Sequence, residues 1–175
     1  MFNRVKQLIA ALTARITTDD MKFITQNLTV KEQELFGRMN LPDQRHALNV
    51  AYTALELAKK AQFVEVTVLI KSALLHDIGK VKGDVSTVDK MITVIAHTLA
   101  ADWAEKWGRQ GRGSKLANLR HAFYIYFHHD ARSAILLQEI GTSPQITELV
   151  AKHHQPPTAD DPAELIILRQ ADNLH

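Results

Sequence analysis

Between Ala73 and Lys80 the chain reads ALLHDIGK, and this short stretch holds its densest chemistry. Val66, Leu69, Ile70, Ala73 and Leu74 recur at helical spacing, so His76 and Asp77 continue the apolar face of a helix. A bare carboxylate is costly to bury there, and coordination of a metal ion is one of the few ways to satisfy the pair. A bland alternative also fits: a helix end at which His76 caps carbonyls and Asp77 faces solvent.

Other residues of the same chemistry lie along the chain. His46 precedes the stripe Val50, Thr53, Ala54 and Leu57, and Asp172 follows Leu165 and Leu168 by seven and four residues. His129 stands at the head of His129-Asp130-Ala131-Arg132-Ser133-Ala134, and His153-His154 closes the helical stretch before Gln155. Each alone is an ordinary core or capping residue; together they are harder to dismiss. The chain has no Cys, which excludes disulfides and thiolate ligands. Imidazole and carboxylate without thiolate suit Fe, Mn or a similar divalent ion, and seven donors suit two ions better than one.

The elements that must position these residues are helical almost throughout. With 7 Gly and 5 Pro in 175 residues, the composition favours helices over turn-rich β structure. The spacing predicts helices over 3–16, 19–27, 30–39, 42–61, 65–77, 88–107, 115–128, 130–140, 144–154 and 162–174. Thr29 with Glu32 has the spacing of a capping box, Asp43 after Pro42 suits a first turn, and Ser143-Pro144 reads as N-cap and N1. Gly79, Gly108 and Gly141 each follow an apolar periodic stretch and read as stops. The expected fold class is all-α: a helical bundle over 41–175, preceded by a helical extension over 1–40 that contains no His.

The order His46, His76-Asp77, Asp172 resembles the HD superfamily of metal-dependent phosphohydrolases, and HDIGK resembles its HDIG variant. With His129 and His153-His154 added, the pattern is similar to the binuclear branch. The resemblance covers about residues 41–175. It implies that His46, His76, Asp77 and Asp172 hold one divalent ion, with Asp77 bridging to a second held by His129, His153 and His154. A hydroxide between the ions would attack phosphorus, and Lys80 would neutralise the phosphoryl oxygens. The implied catalytic residues are thus Asp77 and Lys80, the implied cofactors two ions of Fe or Mn, and the implied partner a small phosphorylated or nucleotide substrate. A metal-containing nucleotide sensor with little turnover is the alternative.

Two departures narrow the branch. Proteins of the HD-GYP group follow the His pair with an acidic residue and a Gly-Tyr-Pro loop, whereas here Gln155-Pro156-Pro157 follows. This speaks against cyclic di-GMP as the substrate. The symmetrical diadenosine tetraphosphate hydrolases have a comparable ending to Ala171-Asp172-Asn173, but a single His-Thr in place of the pair.

The remaining residues read more simply. His97 and His121 are expected to be structural, His128 is passed over for His129, and His175 is expected to be disordered. The loop 108–115, GRQGRGSK, carries Arg109 and Arg112, read either as a solvated face or as a phosphate clamp over the metals. The net charge of +2 gives no strong nucleic-acid signal. The apolar tract 91–104 contains His97 and Asp102 and falls short of the roughly 20 residues a span needs, and nothing at the N-terminus reads as a leader. The expectation is a cytoplasmic protein without a membrane partner, with a homodimer left open.

Overall fold

The structure, a computed structural model, describes residues 14–175. Among these residues eight helices follow one another: α1 Thr18–Asn27, α2 Val30–Gly37, α3 Leu41–Ala58, α4 Val66–Leu75, α5 Thr87–Trp107 (kinked at Ala100), α6 Lys115–Glu139, α7 Pro144–Lys152 and α8 Ala163–Asn173. The described residues form no strand, only an isolated bridge between Met39 and Val81. The fold is therefore all-α, as expected. The helix expected over 3–16 lies outside the described residues except for 14–16, which are not helical.

The hub is α4. Its sequence VTVLIKSALL is apolar on nearly every side, the pattern of a helix surrounded by others. α3, α8 and α7 pack on it, and α1 and α2 add a further layer. α3 carries Ala47, Ala51, Ala54 and Ala58, four buried small residues at helical spacing, a stripe on which neighbouring helices can approach closely. Ile24, Leu28, Leu35 and Phe36 from α1 and α2 enter the same apolar cluster as Leu69, Leu74 and Leu168. Two carboxylates fix the layers: Glu32 of α2 pairs with Lys71 at 2.9 Å, and Glu164 of α8 accepts from the Glu65 amide at 2.6 Å.

Most starts follow the local chemistry read from the sequence. Thr29 and Glu32 make the reciprocal capping box, Ser143 caps α7, and Pro42 stands in the first turn of α3. A second capping box, Thr17 with Asp20, opens α1. One expectation is corrected: 115–128 and 130–140 are a single helix. Nothing from Lys115 to Glu139 is Gly or Pro, and His129, Ser133 and Leu137 share one buried stripe across the expected break. Burial of that stripe outweighs the weak helix preference of His129-Asp130.

α4 ends two residues earlier than expected, at Leu75, with His76 as its cap. The chain then tightens, the Ile78 amide bonding the Leu75 carbonyl and the Lys80 amide bonding Asp77. Gly79 is more than a stop. A Cβ there would lie 2.3 Å from the His129 carbonyl oxygen, so the turn after α4 presses against α6 at a distance only glycine permits. Further along, the Lys82 amide bonds the Arg38 carbonyl at 2.7 Å and Asp84 pairs with Arg132 at 3.0 Å. The segment carrying His76-Asp77 is thereby anchored to α2 and α6 as well as to α4.

Candidate metal centre

These packings bring all seven expected ligand side chains to one place. α3 supplies His46, the end of α4 supplies His76 and Asp77, the middle of α6 supplies His129, the end of α7 supplies His153 and His154, and α8 supplies Asp172. Three groups within this set have ligand atoms all within 4.8 Å of one another: His46, His76 and Asp172; His129, His153 and His154; and His76, Asp77 and His153. The first group holds three of the four residues expected around one ion, the second the three expected around the other, and the third, with Asp77, spans the two.

Asp77 is oriented across that division. Its Oδ2 faces His76 Nε2 at 3.5 Å and His46 Nε2 at 3.9 Å, while Oδ1 faces His129 Nε2 at 3.2 Å. Asp172 Oδ1 stands 2.9 Å from His46 Nε2 and 3.6 Å from His76 Nε2. On the other side, His154 Nε2 is 2.9 Å from His129 Nε2. Lys80 Nζ lies 2.7 Å from Asp77 Oδ1 and 2.8 Å from Oδ2, sharing the carboxylate with the imidazoles.

Three of the imidazoles are held in the same way. Nδ1 of His76 faces the Ala73 carbonyl at 2.8 Å, Nδ1 of His129 the Tyr126 carbonyl at 2.8 Å, and Nδ1 of His153 the Val150 carbonyl at 2.6 Å. A carbonyl oxygen only accepts, so each Nδ1 carries the proton and each Nε2 lone pair points into the cluster. His76 Nε2 and His153 Nε2 are buried without a hydrogen-bond partner. Buried polar atoms are rarely left so, and two inward lone pairs beside carboxylates fit divalent-ion coordination.

The electrostatics suit the same use. Burial disfavours the Asp77 anion, but the Lys80 ammonium with His76 and His129 holds its carboxyl well below the ordinary range. Burial likewise opposes the Asp172 anion, and its bond to His46 with the nearby His76 imidazole outweighs it, pulling that carboxyl far down. Burial and the neighbouring imidazoles push His153 well below its usual value, and burial with His129 takes His154 down to about 4. Both rings are thus neutral donors near pH 7. His76 goes the other way: burial works against its cation, but Asp77 and Asp172 raise it to about 8, so an ion at its Nε2 would have to displace a proton near pH 7.

Other expected residues fall elsewhere. His128 packs on Tyr124 (ring centroids 4.8 Å apart) while His129 enters the cluster. His97 faces the Tyr126 hydroxyl at 3.2 Å, and His121 accepts from the Gly111 amide at 3.4 Å. His175, expected to be disordered, is corrected: it bonds Thr53 at 2.7 Å, and burial and the charge of His46 lower its pKa. Arg109 and Arg112 are exposed in the α5–α6 loop, whose backbone is tied to Arg120 and His121. His121 precedes His129 by roughly 12 Å along α6, at ~1.5 Å per residue.

Sequence reading missed the second layer of support. Asp20, in a segment without an evident motif, accepts from Thr17, Tyr52 and Arg45, the residue next to His46. The spacing Thr17 to Asp20 was the available signal. The clamp of Gly79 on α6 had none, because it depends on which helix the turn meets.

An all-α bundle with an imidazole and carboxylate centre defines the class. The HD domain family model matches residues 44–175, and the chain belongs to that family. No curated protein and no solved structure matches the chain. HD domains bind divalent metals, and membership points broadly to metal-dependent phosphohydrolase activity.

Proposed function

We propose that this chain is an HDIG-type phosphohydrolase that uses two divalent ions, Fe or Mn, to cleave a phosphoester or phosphoanhydride bond in a nucleotide-like substrate. The observation that carries this reading is the orientation of Asp77, whose two oxygens face two different sets of imidazoles. On this proposal His46, His76, Asp77 and Asp172 hold one ion, and Asp77, His129, His153 and His154 hold the other. When bound, ions of this kind supply Lewis acidity towards phosphoryl oxygen and make water acidic enough to attack near neutral pH.

The chain's own residues then have separate tasks. The Nδ1 bonds to main-chain carbonyls orient His76, His129 and His153 and fix which nitrogen donates. Lys80 is half-buried, with its ammonium at the cluster, placed to shift from Asp77 to an incoming phosphoryl oxygen and balance its charge. Arg109 and Arg112, in the loop before α6, would meet only the distal end of a long substrate. Residues 1–40 are proposed as an appended helical layer and 41–175 as the catalytic domain.

Elemental analysis of the purified protein, an anomalous-scattering map and hydrolysis of a panel of nucleotides and phosphodiesters test the proposal together. Two ions per chain and turnover of a panel member are expected. One ion with His129 turned away would reduce it to a mononuclear enzyme. Full metal loading without turnover would favour a nucleotide sensor.

A further inference from the structure

The carboxyl end of α7 delivers two of the seven clustered side chains, His153 and His154, and a helix end leaves its last carbonyls without partners inside the helix. Two of the carbonyls there are met locally. The Val150 carbonyl takes His153 Nδ1 at 2.6 Å, and the Ala151 carbonyl takes the Gln155 side-chain amide at 3.4 Å. The next two are met by another helix. Arg169 of α8 donates from Nη2 to the Lys152 carbonyl at 2.9 Å and from Nε to the His153 carbonyl at 3.3 Å. These carbonyls belong to the two peptide units on either side of the His153 Cα, and the second leads into His154. Because each unit is planar, holding both fixes the backbone from which the two imidazoles depart.

Arg169 is itself held in place. Its Nη1 pairs with Asp161 in the loop between α7 and α8, and Asp161 also accepts from the Thr158 amide and hydroxyl, each at 2.9 Å. The two side chains are 11% and 7% exposed, so little water competes for the pair. One guanidinium therefore points three donor groups at three acceptors. A cation alone would complement the negative end of the helix, but only a planar fork supplies all three directions. Arg169 also lies three residues before Asp172, on the same side of α8. Asp172 groups with His46 and His76, whereas His153 and His154 group with His129. α7 and α8 each pack on α4 more than on each other, so the guanidinium is a direct strut between the helices that serve the two groups.

We propose that Arg169 is a positioning residue of the metal centre: its hold on the Lys152 and His153 carbonyls sets where His153 and His154 stand relative to Asp172, and so how tightly the second ion binds. The inference rests on the two-ion reading above. Arg169 acts through the main chain, and Asp161 with Thr158 keeps its fork aimed. A helix cap that served stability alone would weaken both ions alike when removed. A strut between the two groups instead weakens the ion held by His129, His153 and His154, and leaves the one held by His46, His76 and Asp172.

The test is titration of Mn(II) into the chelator-stripped full chain, read by electron paramagnetic resonance. Two Mn(II) ions that share a carboxylate give an exchange-coupled spectrum, whereas an isolated ion gives a simple hyperfine sextet. Wild type is expected to take up two ions and form the coupled pair. Arg169→Lys keeps the cation but not the three directions. It should fill the first site as wild type does and need about 10–100 times more Mn(II) to form the pair, the scale of losing an outer-shell support. Asp161→Asn leaves the guanidinium in place but loosens its aim, and should shift the second affinity the same way by less. Far-UV circular dichroism of the stripped proteins checks that each variant folds; should Arg169→Lys fail that check, Asp161→Asn decides alone. Unchanged affinities, or equal weakening of both ions, overturn the proposal while leaving the two-ion reading intact. A wild type that binds a single Mn(II) overturns the two-ion reading, and this inference with it.

Discussion

The Gly79 amide donates to Ser133 Oγ at 2.8 Å, and that hydroxyl donates in turn to the His129 carbonyl at 2.7 Å. One serine thus joins the turn that carries Asp77 to the helix that carries His129. Gly79→Ala should break this contact, because its Cβ would fall 2.3 Å from the His129 carbonyl. A stability loss of about 1–3 kcal/mol, typical of overpacking, is expected in denaturant unfolding. Metal stoichiometry should fall with it. Ser133→Ala removes the bond without the clash, so wild-type-like stability there would show that the serine is not holding the turn.

Asp77 and Lys80 touch each other but should respond differently to removal. Asp77→Ala should remove metal and hydrolysis together. Lys80→Ala should retain the metal and the fold yet lose roughly 10²–10³ in kcat, the scale of deleting one electrostatic stabiliser. Metal analysis and turnover on the best substrate read both variants, and unchanged kcat in Lys80→Ala would take Lys80 out of the mechanism.

Metal addition should also be visible in stability. An ion bound only by the folded chain at 100 times its Kd stabilises by about 2.7 kcal/mol. For a chain of this size that is a rise in Tm of roughly 5–10 °C. Titration of Mn or Fe(II) into chelator-stripped protein, followed by calorimetry, should show it. The rise should shrink in His153→Ala, whose Nε2 is one of the two buried lone pairs without a partner.

Asp20 gives the protein a specific acid sensitivity. Burial works against its anion, but bonds from Thr17, Tyr52 and Arg45 outweigh it and bring the carboxyl down to about 2. The folded pKa is below the unfolded one, near 4, so this stabilisation is complete above about pH 4 and is lost as pH falls towards 2. Asp20→Asn should be less stable at pH 7 and flatter over that window. Equal pH slopes in urea unfolding of the two proteins would mean that Asp20 contributes nothing there.

The sequence was most informative where chemistry is local. The capping box at Thr29, the cap at Ser143 and the apolar periodicity of α4 and α8 depend on neighbours within one turn, and they lie where expected. The seven clustered side chains were legible from their number, their order and the family resemblance these carry; burial of an imidazole alone was no guide, since His121 is buried and lies outside the cluster. What the sequence withheld depends on distant packing. The helices expected over 115–128 and 130–140 are one, because His129 is buried at the expected break and the turn at Gly79 packs on α6 there. Asp20 gave no sign of its reach to Arg45, because that contact spans 25 residues.

The Nδ1 bonds of His76, His129 and His153 have a consequence for how this centre tolerates change. Their acceptors are main-chain carbonyls of Ala73, Tyr126 and Val150, each three residues back along the same chain. Every residue type supplies such a carbonyl, so no substitution of those three side chains can delete the acceptor. The direction of the three lone pairs is thereby inherited from helix geometry, and genetic drift around the centre can alter its shape and charge before it alters which nitrogen is offered.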